Sequence, residues 1–295
     1  TEAVVSLGGK DLPHPRTSEL VAPRALGASD ADLDGLIDRR VAFANWLTQP
    51  DNEFFAKAIA NRIWAHYLGR GLVEPVDDIR ETNPATNEPL MNALSRHMID
   101  VEFDMQAFTR TLLKSRVYQL SSKSNDSNRD DQQNFSHAAY KAIPAEALLD
   151  AISQTTGVAE KFNGWPEGYR AIQIWDNRMP SYFFRIFGRP VRATVCECER
   201  SGEPSISQAL HLLNSPEIMA KIQHRDGTAR RLANSELTDD ELIDELYLTT
   251  LSRFPNEEER NLMREAFSDS GSERNEAVED VLWALLNTKE FIFNH

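Results

Sequence analysis

Cys196 and Cys198 are the only cysteines of the chain, and they stand two apart in the run VRATVCECER. In an extended strand such residues share a face and lie about 6.6 Å apart at 3.3 Å per residue, near the upper end of what a disulfide spans. As soft ligands, with His211 as a third from the helix that follows, the pair suits zinc, copper or iron. The competing reading is a pair of buried or partly buried thiols. One C-x-C supplies only two of the four ligands of a closed zinc site, and Glu197 and Glu199 add negative charge that raises a thiol pKa.

Around the cysteines, Arg178, Arg185, Arg189, Arg192 and Arg200 alternate with aromatic rings and form a locally basic cluster in an acidic chain. Guanidinium groups grip carboxylate or sulfate oxygens in pairs, and Trp175 or Tyr182 offers a flat face to a sugar. Trp175, Asp176, Arg178, Arg192 and Arg200 are thus candidates for holding an anionic or carbohydrate ligand. Against this, the same arginines can pair with Asp176, Glu197, Glu199 and Glu203 to brace an irregular segment.

In the N-terminal half the candidates are Arg62, His66 and Arg80. His66 follows Arg62 by one helical turn, and an imidazole is the side chain whose ordinary pKa suits a general acid or base near neutral pH; a lone histidine is more often a packed or surface residue. The loop EPVDDIRETNPATNE at 74–88 carries Asp77, Asp78, Glu81, Asn83 and Asn87, oxygen donors of the kind calcium prefers. It lacks EF-hand spacing, and turns and helix caps account for such residues too, with Arg80 among them as an ion-pair partner. The sequence has no G-x-S-x-G, Walker loop, H-E-x-x-H or G-x-G-x-x-G, which removes the common catalytic templates. It has no C-x-x-C-H either, so the chain carries no covalent c-type haem of its own. A glycosidase pair is recognised by its separation in space, and 46 acidic residues leave the choice open.

The elements that must position these groups are helical. Helical spacing runs from Asp30 to Thr48. Asp51 or Asn52 then caps a helix in which Phe55, Ile59, Ile63 and Tyr67 recur every fourth residue until Gly69 stops it. Leu90, Leu94, Met98 and Val101 mark another helix, and Phe108, Leu112 and Leu113 a third from near Asp104. The polar run 121–136 marks an exposed loop or a boundary. Pro144 opens a helix that Gly157 ends. Residues 163–204 abandon the period, with strand-like runs at Ala171–Trp175 and Arg192–Cys198. Helix returns at Ser205; Thr238 with Glu241 and Asn256 with Glu259 match capping boxes; a last helix covers about 274–289. The fold expected is mainly α, an irregular multi-helix domain with a small β element around 170–200. It is organised as an extended arm (1–29), a helical lobe (30–136) and a second helical lobe (137–295).

With 295 residues and 41% hydrophobic content the chain can bury a sizeable core. A net charge of -14 argues against a nucleic-acid partner. No apolar run approaches the length of a membrane span. The start at Thr1, without a signal peptide, suggests a mature or excised piece of something longer.

Five ordered blocks carry a resemblance: WLTQPDNEFFAKAIANRIWAHYLGRGLVEP at 46–75, KSRVYQLSS at 114–122, SISQALHLLNSPEI at 205–218, ELYLTTLSRFPNEEE at 245–259 and LLNTKEFIFNH at 285–295. Through them the chain resembles a planctomycete domain of unknown function that follows cytochrome c-like modules in large predicted secreted proteins. The resemblance implies export to the periplasm or cell surface and an upstream cytochrome c-like module as partner. It also implies one cysteine before the S-x-x-Q-A-L helix, where this chain has two. The function expected is that of an accessory or ligand-binding module for an anionic or carbohydrate ligand, polysaccharide included. The alternative is an enzyme, either a polysaccharide hydrolase or a metal-dependent redox enzyme; a purely structural part of a surface assembly is a third reading.

Overall fold

Capping side chains set most helix starts. The computed structural model describes residues 11–22, 24, 38–176, 179–190, 205–268 and 273–294, and the chain divides into two units, Thr1–Ala139 and Tyr140–His295. In the first, two short strands, β1 (Leu12–Pro13) and β2 (Leu20–Val21), pair antiparallel with Leu12 opposite Val21. Four helices follow: α1 (Arg39–Leu47), α2 (Glu53–Leu68), α3 (Glu88–Asp100) and α4 (Met105–Leu113). Asp38, Asn52, Asn87 and Asp104 cap them by accepting otherwise orphaned backbone N–H groups. Helices α2 to α4 close around Ala60, Trp64, Met91, Met98 and Phe108, with Leu72 and Val73 supplied by the loop after α2. The polar run 121–136 is an ordered turn. Asp131 accepts the Ser136 hydroxyl and the backbone N–H groups of Asn134, Gln133 and Ser136, which hold its carboxyl well below the usual carboxylate range.

The second unit begins with β3 (Lys141–Ala142) and continues through α5 (Ala145–Thr156), a 3-10 turn at Ala171–Gln173, α6 (Tyr182–Ile186), α7 (Ile206–Asn214), α8 (Pro216–Ile222), α9 (Thr228–Ala233), α10 (Asp239–Leu251), α11 (Glu257–Ser268), α12 (Arg274–Leu286) and α13 (Lys289–Ile292). It ends at β4 (Phe293–Asn294), which pairs antiparallel with β3 and returns the tail to the unit's first residues. Helix α12 is central: Val278, Val281, Leu282, Leu285 and Leu286 are buried against Ile222, Leu232, Leu242 and Leu246. Gly157 ends α5 at φ 71°, and a Cβ there would come within 2.9 Å of the Thr228 hydroxyl, so the α5 to α9 approach requires glycine. The fold is mainly α, and none of the described helices is long and apolar enough to cross a membrane.

One strand-like run resolves differently. Ala171–Gln173 forms a 3-10 turn because the Asp150 carboxylate takes the backbone N–H of Ala171 (2.6 Å) and of Ile172 (3.3 Å), groups a ladder would need. Ala171 and Ile174, three apart, both turn inward. The other run, Arg192–Cys198, lies outside the described residues.

Arg253 fastens the end of the chain. Its guanidinium takes both oxygens of Glu259 (2.7 Å each) and both of Glu290 (2.6 Å each) and lies over the Tyr247 ring, 5.5 Å from its centroid. The two carboxylates raise its pKa further above the ordinary arginine value. Lysine has no planar fork to reproduce this. Arg253→Lys is therefore expected to cost about 1–2 kcal/mol, since the group is about one third exposed and partly screened. In a thermal scan this is a drop of about 2–4 °C per kcal/mol for a unit of this size, and an unchanged midpoint would refute the clamp.

Candidate functional site

In the first unit, Asn61 and the candidate Arg62 of α2 serve the loop that follows it. Asn61 is fully buried and makes four hydrogen bonds. Its Oδ1 accepts from the N–H of Leu72 (2.8 Å) and Val73 (3.2 Å), and its Nδ2 donates to the carbonyls of Val73 (3.0 Å) and Val76 (2.8 Å). Gly71 makes room for this amide and for the turn it holds, because a Cβ there would fall 3.0 Å from both amide atoms of Asn61 and 2.5 Å from the Val73 carbonyl oxygen. Next to it Arg62 forms a two-pronged pair with Asp77 (2.6 and 2.7 Å). His66 is exposed on α2, edge-on to Tyr67 at 4.9 Å. Arg80 pairs with Asp78 at 3.0 Å. Three of the oxygen donors of the 74–88 loop are similarly engaged: Asp77 by Arg62, Asp78 by Arg80, and Asn87 as the cap of α3.

The second unit holds the remaining described candidates: the loop from α5 to α6 carries Trp175 and Asp176, and α7 carries His211. Arg189 supports that loop from inside. Its side chain is 4% exposed, lies 3.3 Å from Glu146 of α5, stacks over Phe184 at 4.4 Å and donates to the carbonyl of Ile174. Beyond Ile174 the chain turns outward. Trp175 is 78% exposed and meets Trp165 edge to face at 5.8 Å, while Trp165 contacts Tyr169 at 5.3 Å. Three aromatic rings thus form a platform on the surface of this unit, with Asp176 next in the chain. Arg178, Arg192, Arg200, Cys196 and Cys198 lie outside the described residues. Among the described residues no group of three or more His, Cys, Asp or Glu side chains is placed to hold a metal ion.

A cavity of about 240 Å³ opens in the same unit. Leu149 and Ile152 of α5 and Ile218 of α8 give it an apolar wall; residues 160–163 and 179–183 close its sides; His211 of α7 and Lys221 of α8 face it. Two backbone hydrogen bonds tie the platform to the cavity, Trp165 N–H to the Phe162 carbonyl (3.1 Å) and Met179 N–H to the Asp176 carbonyl (3.4 Å). Both Phe162 and Met179 line the cavity.

The position of His211 follows from local sequence. Ser205 and Gln208 form the capping box that starts α7, and the Gln208 amide also donates to the Ile186 carbonyl at 3.1 Å, docking α7 on α6. The imidazole then sits among the rings of Tyr182 (5.3 Å), Phe183 (5.7 Å) and Phe187 (6.2 Å). Burial lowers its pKa, against the opposing charge of Glu217, so the ring is neutral at neutral pH. Its Nε2 is buried and has no hydrogen-bond partner among the described residues. Lys221 is buried as well, but its ammonium is satisfied by the Val158 carbonyl (2.9 Å), Glu160 (3.3 Å) and the Ser153 hydroxyl (3.4 Å). Sequence reading had no signal for Lys221 or Glu160, since a lysine on an amphipathic helix ordinarily faces water.

Compared with known protein families, residues 39–267 match the family described as PSD1, protein of unknown function (DUF1553). No curated protein and no solved structure matches the chain.

Proposed function

We propose that this chain, which belongs to the DUF1553 family of proteins of unknown function, is a saccharide-binding module whose second unit docks a glycan on the rings of Trp165, Tyr169 and Trp175. The observation that carries the reading is Trp175 itself, 78% exposed yet braced edge to face by Trp165. Leaving an indole in water costs apolar surface that a buried position would recover. The C–H face of a sugar ring, weakly positive, matches the negative face of an aromatic ring. An exported setting and a cytochrome c-like neighbour are supported by the resemblance of the five sequence blocks. Trp175→Ala is expected to weaken polysaccharide retention in native affinity gels by about tenfold or more, one aromatic stack being worth roughly 0.5–1.5 kcal/mol beyond its buried area. Equal retardation of the two proteins across a panel of neutral and acidic polysaccharides would sink the proposal.

A further inference from the structure

The His211 cavity is separate in chemistry from the exposed rings of Trp165, Tyr169 and Trp175, and its lining selects among ligand classes. An anion finds no cation without a carboxylate partner among the described lining residues: Lys221 is paired with Glu160 at 3.3 Å, Lys161 with Glu167 at 3.8 Å, and desolvation disfavours the charged form of the half-buried His211 imidazole. Glu217 on the rim repels negative charge besides. A metal cation finds too few ligands among the described residues. What remains are groups that both donate and accept, namely the neutral imidazole of His211, the hydroxyls of Ser181 and Tyr182 and the amide of Asn163, facing the apolar wall of Leu149, Ile152 and Ile218. This combination fits a molecule with hydroxyls on its edge and C–H bonds on its face. At about 240 Å³ the space is below the roughly 300–1,000 Å³ of pockets for drug-sized ligands, so it takes one ring and not a chain.

We infer that the cavity is a chain-end subsite, receiving the terminal, uncharged sugar ring of a glycan whose following residues lie on the Trp165 and Trp175 platform. The inference rests on the saccharide reading of that platform. The two backbone hydrogen bonds linking Phe162 to Trp165 and Asp176 to Met179 tie the subsite to the platform, and His211, whose Nε2 has no hydrogen-bond partner among the described residues, lines the subsite.

The test is calorimetric titration of the full chain, and of its His211→Ala, Tyr182→Phe and Trp175→Ala variants, with neutral monosaccharides, their methyl glycosides and oligosaccharides built from them. Circular dichroism melting checks that each variant folds, and Tyr182→Phe removes only a half-exposed hydroxyl, so it remains informative if His211→Ala does not fold. Expected are a loss of about tenfold for monosaccharide and oligosaccharide alike on removing either cavity group, and a loss for the oligosaccharide alone in Trp175→Ala. Oligosaccharide binding that needs Trp175 but neither His211 nor the Tyr182 hydroxyl overturns the subsite and leaves the platform standing. Monosaccharide binding that needs the cavity groups, with no ligand responding to Trp175, overturns the platform reading instead. Absence of binding by every saccharide overturns both.

Discussion

Asn61→Leu is expected to open the helical core of the first unit, while Arg62→Ala, one residue along, leaves it almost unchanged. The contrast follows from burial. Leucine has nearly the shape of asparagine but returns none of its four hydrogen bonds, so the N–H groups of Leu72 and Val73 and the carbonyls of Val73 and Val76 lose their partner. Each buried orphan costs about 1–3 kcal/mol. Some regain water as the loop loosens, and a net loss on the order of 4 kcal/mol remains. Arg62 and Asp77, although geometrically ideal, are about half exposed, and such pairs are worth about 0–1 kcal/mol. Hydrogen exchange followed by mass spectrometry reads this regionally. Peptides covering 53–113 should exchange roughly a thousandfold faster in Asn61→Leu, at one decade per 1.36 kcal/mol, and less than about tenfold faster in Arg62→Ala. Equal protection in both variants would show that Asn61 does not hold the loop.

Local chemistry was what the sequence made legible. Asn52, Asp104, Ser205, Thr238 and Asn256 each satisfy a helix N-terminus where the sequence starts a helix, the last two marked by their spacing to Glu241 and Glu259, and the every-fourth-residue pattern of Ile59, Ile63 and Tyr67 lies on α2, which ends at Gly69. Those features operate within a turn or two of chain. The 3-10 turn at Ala171–Gln173 escaped because the carboxylate that makes it, Asp150, belongs to a helix some twenty residues earlier. Asn61, and Glu146 as the partner of Arg189, escaped for the same reason: a polar residue inside a helical run looks solvated until its distant partners are placed around it. The cavity draws on α5, two loops, α7 and α8, a convergence no window of sequence contains.

The same distinction bears on what the family blocks mean. Asn61, Arg62 and Gly71 fall in the first block, Gln208 in the third, Arg253 and Glu259 in the fourth and Glu290 in the last, and in this structure each fastens one element to another. The aromatic platform at 165–175 falls between blocks. The family match spans both, residues 39–267, and a ligand assignment has to be argued from exposed rings and cavity groups rather than from the resemblance.

Arg189→Met is expected to destabilise the second unit by about 3–5 kcal/mol, the range for removing one partner of a buried ion pair. The side chains of Arg189 and Glu146 are 4% and 12% exposed, so the carboxylate left behind cannot recover full hydration. The guanidinium also supports the Ile174 carbonyl, immediately before Trp175, and packs on Phe184 of α6. Loss of stability and loss of the platform should thus appear together: a thermal midpoint lowered by several degrees, and faster exchange in peptides covering 165–187. A cycle with Glu146→Gln separates the pair from the rest. Glutamine leaves no charge to strand, so Arg189→Met should cost less in that background by more than about 1 kcal/mol, the coupling expected of groups in one network. Additive effects would assign Arg189 to packing alone. If the platform stays protected while the midpoint falls, Arg189 stabilises α5 and α6 without positioning Trp175, and the tryptophan's orientation must then come from Trp165.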